Sequence, residues 1–101
     1  MSVLMEFAIF PTDKGESVSP YVARVLEVVQ KSGHPHQLTA MGTIVETERF
    51  EEATRLLDAA YRALAPDCRR VYLVAKFDVR EGPTGRLEAK VRAVEEKVRS
   101  T

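Results

Sequence analysis

From Val3 to Phe10 the chain alternates in a way that separates two rows of side chains. Val3, Met5, Phe7 and Ile9 are uniformly large and apolar, whereas Leu4, Glu6, Ala8 and Phe10 are mixed, and this period of two predicts a first strand. Pro11 to Glu16 reads as a loop. The period then changes. Val22, Val25, Leu26 and Val29 recur at helical spacing, with Ser19 as candidate N-cap, Pro20 at the first helical position and Gly33 as terminator after Ser32. His36 to Met41 and Thr43 to Glu46 are short strand-like runs separated by Gly42, which predicts a tight hairpin or a bulged bend. A second helix is predicted from Arg49 to Ala65, with Phe50, Ala53, Leu57, Ala60, Tyr61 and Leu64 as its buried stripe and Pro66 at its end.

Arg70 to Arg80 is the clearest strand pattern. Val71, Leu73, Ala75, Phe77 and Val79 form an apolar row against the mixed row Tyr72, Val74, Lys76 and Asp78. After turn chemistry at residues 81–85, Leu87, Val91, Val94 and Val98 form the stripe of a C-terminal helix, with Glu88–Arg92 and Glu95–Arg99 as acid-first i,i+4 pairs. The order β-α-β-β-α-β plus a final helix predicts an α+β, ferredoxin-like fold: an antiparallel sheet with two helices on one face. Its other face is expected to carry Leu4, Glu6, Ala8 and Phe10, then Gln37, Thr39 and Met41, then Tyr72, Val74, Lys76 and Asp78. Such a surface is too apolar to be left bare, yet its carboxylates need partners. A second subunit over it, with a ligand in the seam, meets both demands.

Composition narrows the function classes. The 101 residues fit a single domain, 1–101, with 15 basic and 15 acidic residues and no net charge. The basic residues are interleaved with acids from Arg86 to Arg99, so nucleic acid is not an expected partner. One cysteine, Cys68, permits no intrachain disulfide. The N-terminus lacks a signal-peptide pattern, and no apolar run approaches the roughly 20 residues that span a bilayer, so a cytoplasmic location and no membrane partner are expected. There is no nucleophile elbow, phosphate loop or metal-ligand array, so no enzyme activity is expected. His34 and His36 lack a third ligand nearby and Cys68 lacks a companion histidine, so neither a metal site nor a catalytic thiol is predicted.

Several segments, taken in order, resemble the small YkoF-like thiamine-binding protein family. They are residues 5–11, 17–22, Ser32-Gly33 and especially Met41-Gly42-Thr43-Ile44-Val45-Glu46, followed by Arg70-Val71, residues 76–80 and Lys90-Val91. His34-Pro35-His36 departs from the more apolar or aromatic segment expected there. The resemblance implies a ferredoxin-like fold, homodimers that pair into dimers of dimers, and non-enzymatic binding of thiamine or a related pyrimidine or thiazolium metabolite at a subunit interface. It implies no further cofactor. Two other readings stay open: a regulatory or assembly module sensing another small metabolite, and a dimeric α/β-barrel enzyme using His36 and Tyr72.

Within that frame the candidate ligand-binding residues are Glu6, Ser17, Ser19, Thr39, Met41, Gly42, Thr43 and Glu46. Glu6 can accept from an aminopyrimidine or offset a thiazolium charge, or pair across strands with Lys76. Ser17 and Ser19 can donate from the start of the first helix, although capping competes for Ser19. Gly42 permits close approach, Thr43 offers a hydroxyl and Met41 a polarisable wall, against the plainer reading of a hairpin bend. Glu46 pairs with the ligand or a neighbouring subunit, or is a solvated acid at a helix start. Phe10, Tyr21 and Tyr72 are candidate stacking rings as well as core or interface residues.

Overall fold

The computed structural model describes residues 1–100. The elements follow in the order β1 (Ser2–Pro11), α1 (Ser19–Ser32), β2 (His36–Thr39), β3 (Gly42–Thr47), α2 (Phe50–Leu64), β4 (Val71–Arg80) and α3 (Arg86–Arg99). The four strands form one antiparallel sheet in the order β2-β3-β1-β4, which with α1 and α2 is the ferredoxin-like arrangement. The alternation of β1 is used as its sequence predicts. Val3, Met5, Phe7 and Ile9 are at most 4% exposed and meet Val25 and Val29 of α1 and Ala53, Leu56, Ala60 and Leu64 of α2. Burying a large aliphatic or aromatic side chain contributes about 1.5–3 kcal/mol, so this row and its helical partners hold the two layers together. A bidentate pair from Arg24 to Asp67, at 2.7 and 2.8 Å, ties α1 to the end of α2.

The helix and hairpin punctuation holds with local adjustments. Gly33 ends α1 in the left-handed conformation, φ 78°. Ser19 is not the N-cap: that position is Val18, and no side chain caps the helix, because Ser19 and Pro20 already lie inside the first turn. At the start of α2, the Arg49 N–H donates to Glu52 Oε1 at 2.9 Å. The β2–β3 hairpin turns at Ala40 and Met41, which moves Met41 out of the strand and leaves it 85% exposed.

Three predicted apolar rows differ from the structure. On α2, Leu56 is buried while Phe50 and Tyr61 are 46% and 48% exposed, because the contact stripe is centred on the small residues Ala53 and Ala60. On β4, Leu73, Phe77 and Val79 stand on the helix side of the sheet but remain exposed, since α1 and α2 lie over β1 and β3 and reach this edge only thinly. On α3, Val91, Val94 and Val98 form the predicted stripe, and it is exposed because the helix meets the sheet near its start, through Arg86, Leu87 and Lys90.

Candidate functional site

The two long strands, β1 and β4, run together over their whole length, from Ser2 opposite Arg80 to Pro11 opposite Val71. On the other side of β1 the ladder with β3 stops at Phe7 opposite Thr43. Among the described residues no strand pairs with that side of Ala8–Pro11. The shorter hairpin therefore leaves a notch in the sheet, and a cavity of about 310 Å³ fills it. Its walls are Phe7–Phe10 of β1, Val18, Val22 and Val25 at the start of α1, and Leu38–Thr43 of the hairpin.

Each wall has a local cause. Gly42 lies against the backbone of β1, where a Cβ would stand 2.7 Å from the Phe7 carbonyl oxygen, so only glycine lets the hairpin turn this close. Thr39 Oγ1 donates to the Gly42 carbonyl at 2.9 Å and accepts from the Met41 N–H at 3.2 Å, which fixes the turn. Thr43 is buried on the helix side of β3. Among the described residues, no ionisable side chain lines the cavity. Its polar character comes from two threonines and from the backbone, including the unladdered edge of β1, where N–H and C=O groups still need partners.

The sequence-predicted residues divide into three groups. Thr39, Met41, Gly42 and Thr43 come together at this cavity. Glu6 lies on the opposite, open face, with Lys76 Nζ 3.0 Å from its carboxylate. There it lines a shallow groove with Ala8, Met41, Val74 and Lys76, and this groove shares Phe7, Ala8 and Met41 with the main cavity. Ser17 and Ser19 sit beside Val18 at the start of α1, exposed, with their hydroxyl oxygens 3.3 Å apart.

Glu46 lies at the far end of the sheet. It is 3% exposed and accepts from the Ser2 hydroxyl at 2.6 Å and from the backbone N–H groups of Arg86 and Leu87 at 3.1 and 3.2 Å. It therefore satisfies the free amides at the start of α3. Burial pushes its carboxyl pKa up, but the hydrogen bonds from Ser2, Arg86, Leu87 and Gly85 outweigh burial and hold it below the usual carboxylate value. Beside it the 6%-exposed Arg86 donates to the Ser2 hydroxyl, the Ser2 carbonyl, the Asp78 carboxylate and the Asp78 carbonyl.

The remaining candidates are dispersed. Phe10 and Tyr72 pack with ring centroids 5.7 Å apart on the open face, and the Arg24 guanidinium lies 4.8 Å over the Tyr21 ring. His36 stands opposite Val45 on the helix side, with Nδ1 2.9 Å from the His34 carbonyl oxygen, so His36 and Tyr72 occupy opposite faces of the sheet. Burial pushes the Cys68 thiol up, helped by the charges of Asp67 and Asp13, which disfavours a thiolate. Among the described residues, no three His, Cys, Asp or Glu side chains gather as a metal site, and no helix is long and apolar enough to cross a membrane. Sequence reasoning missed Val18, Val22, Leu38 and the bare edge of β1. The available signal was length: the first strand pattern outruns its hairpin partner.

Fold and cavity together define a ferredoxin-like α+β domain with one uncharged notch of small-molecule size. The sequence profile described as thiamine-binding protein matches residues 5–95, and the chain belongs to that family. A UPF0045 protein of Mycobacterium bovis is 38% identical over 95 residues, covering 94% of this chain and 93% of its own. The crystal structure of a hypothetical protein from Methanocaldococcus jannaschii is 33% identical with a TM-score of 0.85, covering 94% of this chain and 97% of that one. A candidate thiamine biosynthesis/salvage protein of Thermotoga maritima shares the fold at 20% identity, TM-score 0.77, over 91% of this chain and 99% of its own.

Proposed function

We propose that this chain binds thiamine, or a related pyrimidine or thiazolium metabolite, in the notch beside β1 and catalyses no reaction on it. The observation that carries this reading is an apolar cavity bordered by a free strand edge. A flat aminopyrimidine has apolar faces and a rim of donors and acceptors, so it can stack on Val22 and Leu38 while its rim takes the hydrogen bonds that β3 leaves unmade. Membership of a family described as thiamine-binding supports the same ligand class. With no ionisable side chain lining the notch, the thiazolium cation belongs outside it, over Ala8 and Met41 in the adjoining groove where Glu6 lies.

The same reading makes the working form a homodimer, and a dimer of dimers, with a second subunit over the open face. Its support is exposed apolar surface: Tyr72 and Val74 on that face are 55% and 51% exposed, and α3 presents Val91 and Val94 at 53% and 63%. Met41, shared by notch and groove and 85% exposed, is the residue such a subunit would cover. The test is titration calorimetry with thiamine and with its aminopyrimidine fragment on folded protein whose mass has been measured. Saturable heat from both is expected. An absence of heat at millimolar ligand overturns the reading.

A further inference from the structure

The notch is walled but open. Phe7 and Ile9 of β1 and Val25 of α1 are buried behind it, whereas Leu38 and Met41 at its mouth are 51% and 85% exposed. Sites for small ligands bury most of the ligand's surface, so a flat ring seated here calls for a cover. The connection from β1 to α1 joins two of the walls. It leaves the free edge of β1 at Pro11 and reaches α1 through Val18. Both of its ends are fixed. The Thr12 N–H donates to the Arg70 carbonyl at 2.9 Å, and the Asp13 carboxylate accepts from the Arg69 N–H at 2.8 Å. The Val18 carbonyl accepts from the N–H groups of Tyr21 and Val22, each at 3.0 Å. Between these anchors, among the described residues, no hydrogen bond ties Lys14, Gly15 or Glu16 to the rest of the chain. Gly15 turns the segment at φ 84°, with open space where a side chain would stand.

We propose that residues 14–17 form a strap that closes over a ligand held in the notch, with the Ser17 hydroxyl as its polar contact to the aminopyrimidine ring. The proposal rests on the reading of the notch given above and adds its cover. Four extended residues reach about 14 Å, so the strap can swing while both anchors stay in place. Lys14 and Glu16 offset one another, so closure brings no net charge to an uncharged cavity. Thr39, on the opposite wall, already spends its hydroxyl on the hairpin turn. Ser17 stands one residue from the wall at Val18, and its hydroxyl meets only that of Ser19, 3.3 Å away and exposed. An acceptor on the ring replaces that long contact at little cost.

Amide hydrogen exchange reads the closure in the wild-type chain. Without ligand, residues 14–17 should exchange freely. Saturating thiamine should slow them at least about tenfold, while the turn at residues 81–85, at the other end of the sheet, keeps its rate. The aminopyrimidine fragment alone should slow residues 14–17 as well, and protection by thiamine only would overturn the contact to the ring. Unchanged exchange at 14–17, in protein that gives saturable heat with thiamine, overturns the strap and leaves the reading of the notch intact. Slowing at both loops reports general stiffening and likewise overturns it. Without any heat the reading of the notch fails, and the strap fails with it. Ser17→Ala should weaken thiamine and fragment alike, by about threefold to tenfold, with the melting curve unchanged. Unaltered affinity in this variant takes Ser17 out of the contact.

Discussion

The two ends of the sheet solve the same problem in opposite ways. At one end, β1, β3 and β4 come together around Ser2, Glu46 and Asp78, and Arg86 at the start of α3 closes the gap with its side chain. The polar atoms there are satisfied by the chain itself. At the other end β1 runs on past β3, and its free edge faces an uncharged cavity instead of a strand. The lesson concerns what marks a binding site. Charge and burial are greatest at the first end, yet its hydrogen-bonding capacity is spent on the fold. The second end has less charge, and a flat ligand can supply what is missing.

The closed end should therefore break as structure. Arg86→Met removes the donor to the Ser2 hydroxyl and carbonyl and to the Asp78 carbonyl and carboxylate and leaves buried acceptors unpaired, so a loss of about 3 kcal/mol is expected in urea unfolding. Calorimetry on whatever fraction stays folded should still detect ligand, because the notch lies at the other end. A milder change tests the carboxylate. Glu46→Gln keeps the shape and loses the charge that accepts from Ser2, Arg86 and Leu87, at a cost of about 2 kcal/mol at neutral pH.

The pH dependence of that cost follows from the lowered carboxyl. In the unfolded chain Glu46 binds its proton more readily than in the folded one. Its stabilisation is thus complete above the unfolded carboxylate value, about 4.3, and drains away as pH falls through the lower folded value. Thermal melts of wild type and Glu46→Gln should converge as pH drops from 7 toward 3. A gap independent of pH would mean that Glu46 acts through packing alone.

How far these two ends were visible beforehand differs for physical reasons. The core row of β1, the α1 stripe with Pro20 and Gly33, and the hairpin at Gly42 are encoded within a few residues of each other, so periodicity and turn chemistry reveal them. The partners of Glu46 lie about forty residues away on α3, and nothing local to Glu46 announces that a helix start will return to it. The notch is likewise tertiary, since it depends on where the β3 ladder stops along β1 and not on any residue's type. β4 illustrates the limit from the other direction. Its alternation correctly predicts a strand, but whether a helix covers Leu73 and Phe77 depends on how many strands two helices can span.

At the open end, smaller effects on stability should accompany larger ones on binding. Gly42→Ala places a methyl group against the Phe7 carbonyl, a backbone atom that cannot swing aside, and is expected to cost about 1–2 kcal/mol in urea unfolding. Val22→Phe fills the cavity from the α1 side. Because Val22 is only partly buried, its stability should change by less than about 0.5 kcal/mol while thiamine affinity falls at least about tenfold, a loss of 1.4 kcal/mol. Equal affinity in this variant would separate the ligand from the notch.

Met41→Ala is the gentlest and most informative change. At 85% exposure the side chain contributes little to the folded monomer, so the urea midpoint should stay within experimental error of wild type. Met41 nevertheless belongs to both the notch and the groove on the open face, and it puts a large, flexible apolar side chain between them. If a ligand bridges the two with its ring in the notch and its cation near Glu6, truncation should weaken thiamine by about threefold to fivefold. The isolated aminopyrimidine fragment, which stays within the notch, should lose less. Equal losses for thiamine and fragment would confine the ligand to the notch and remove Glu6 from the site.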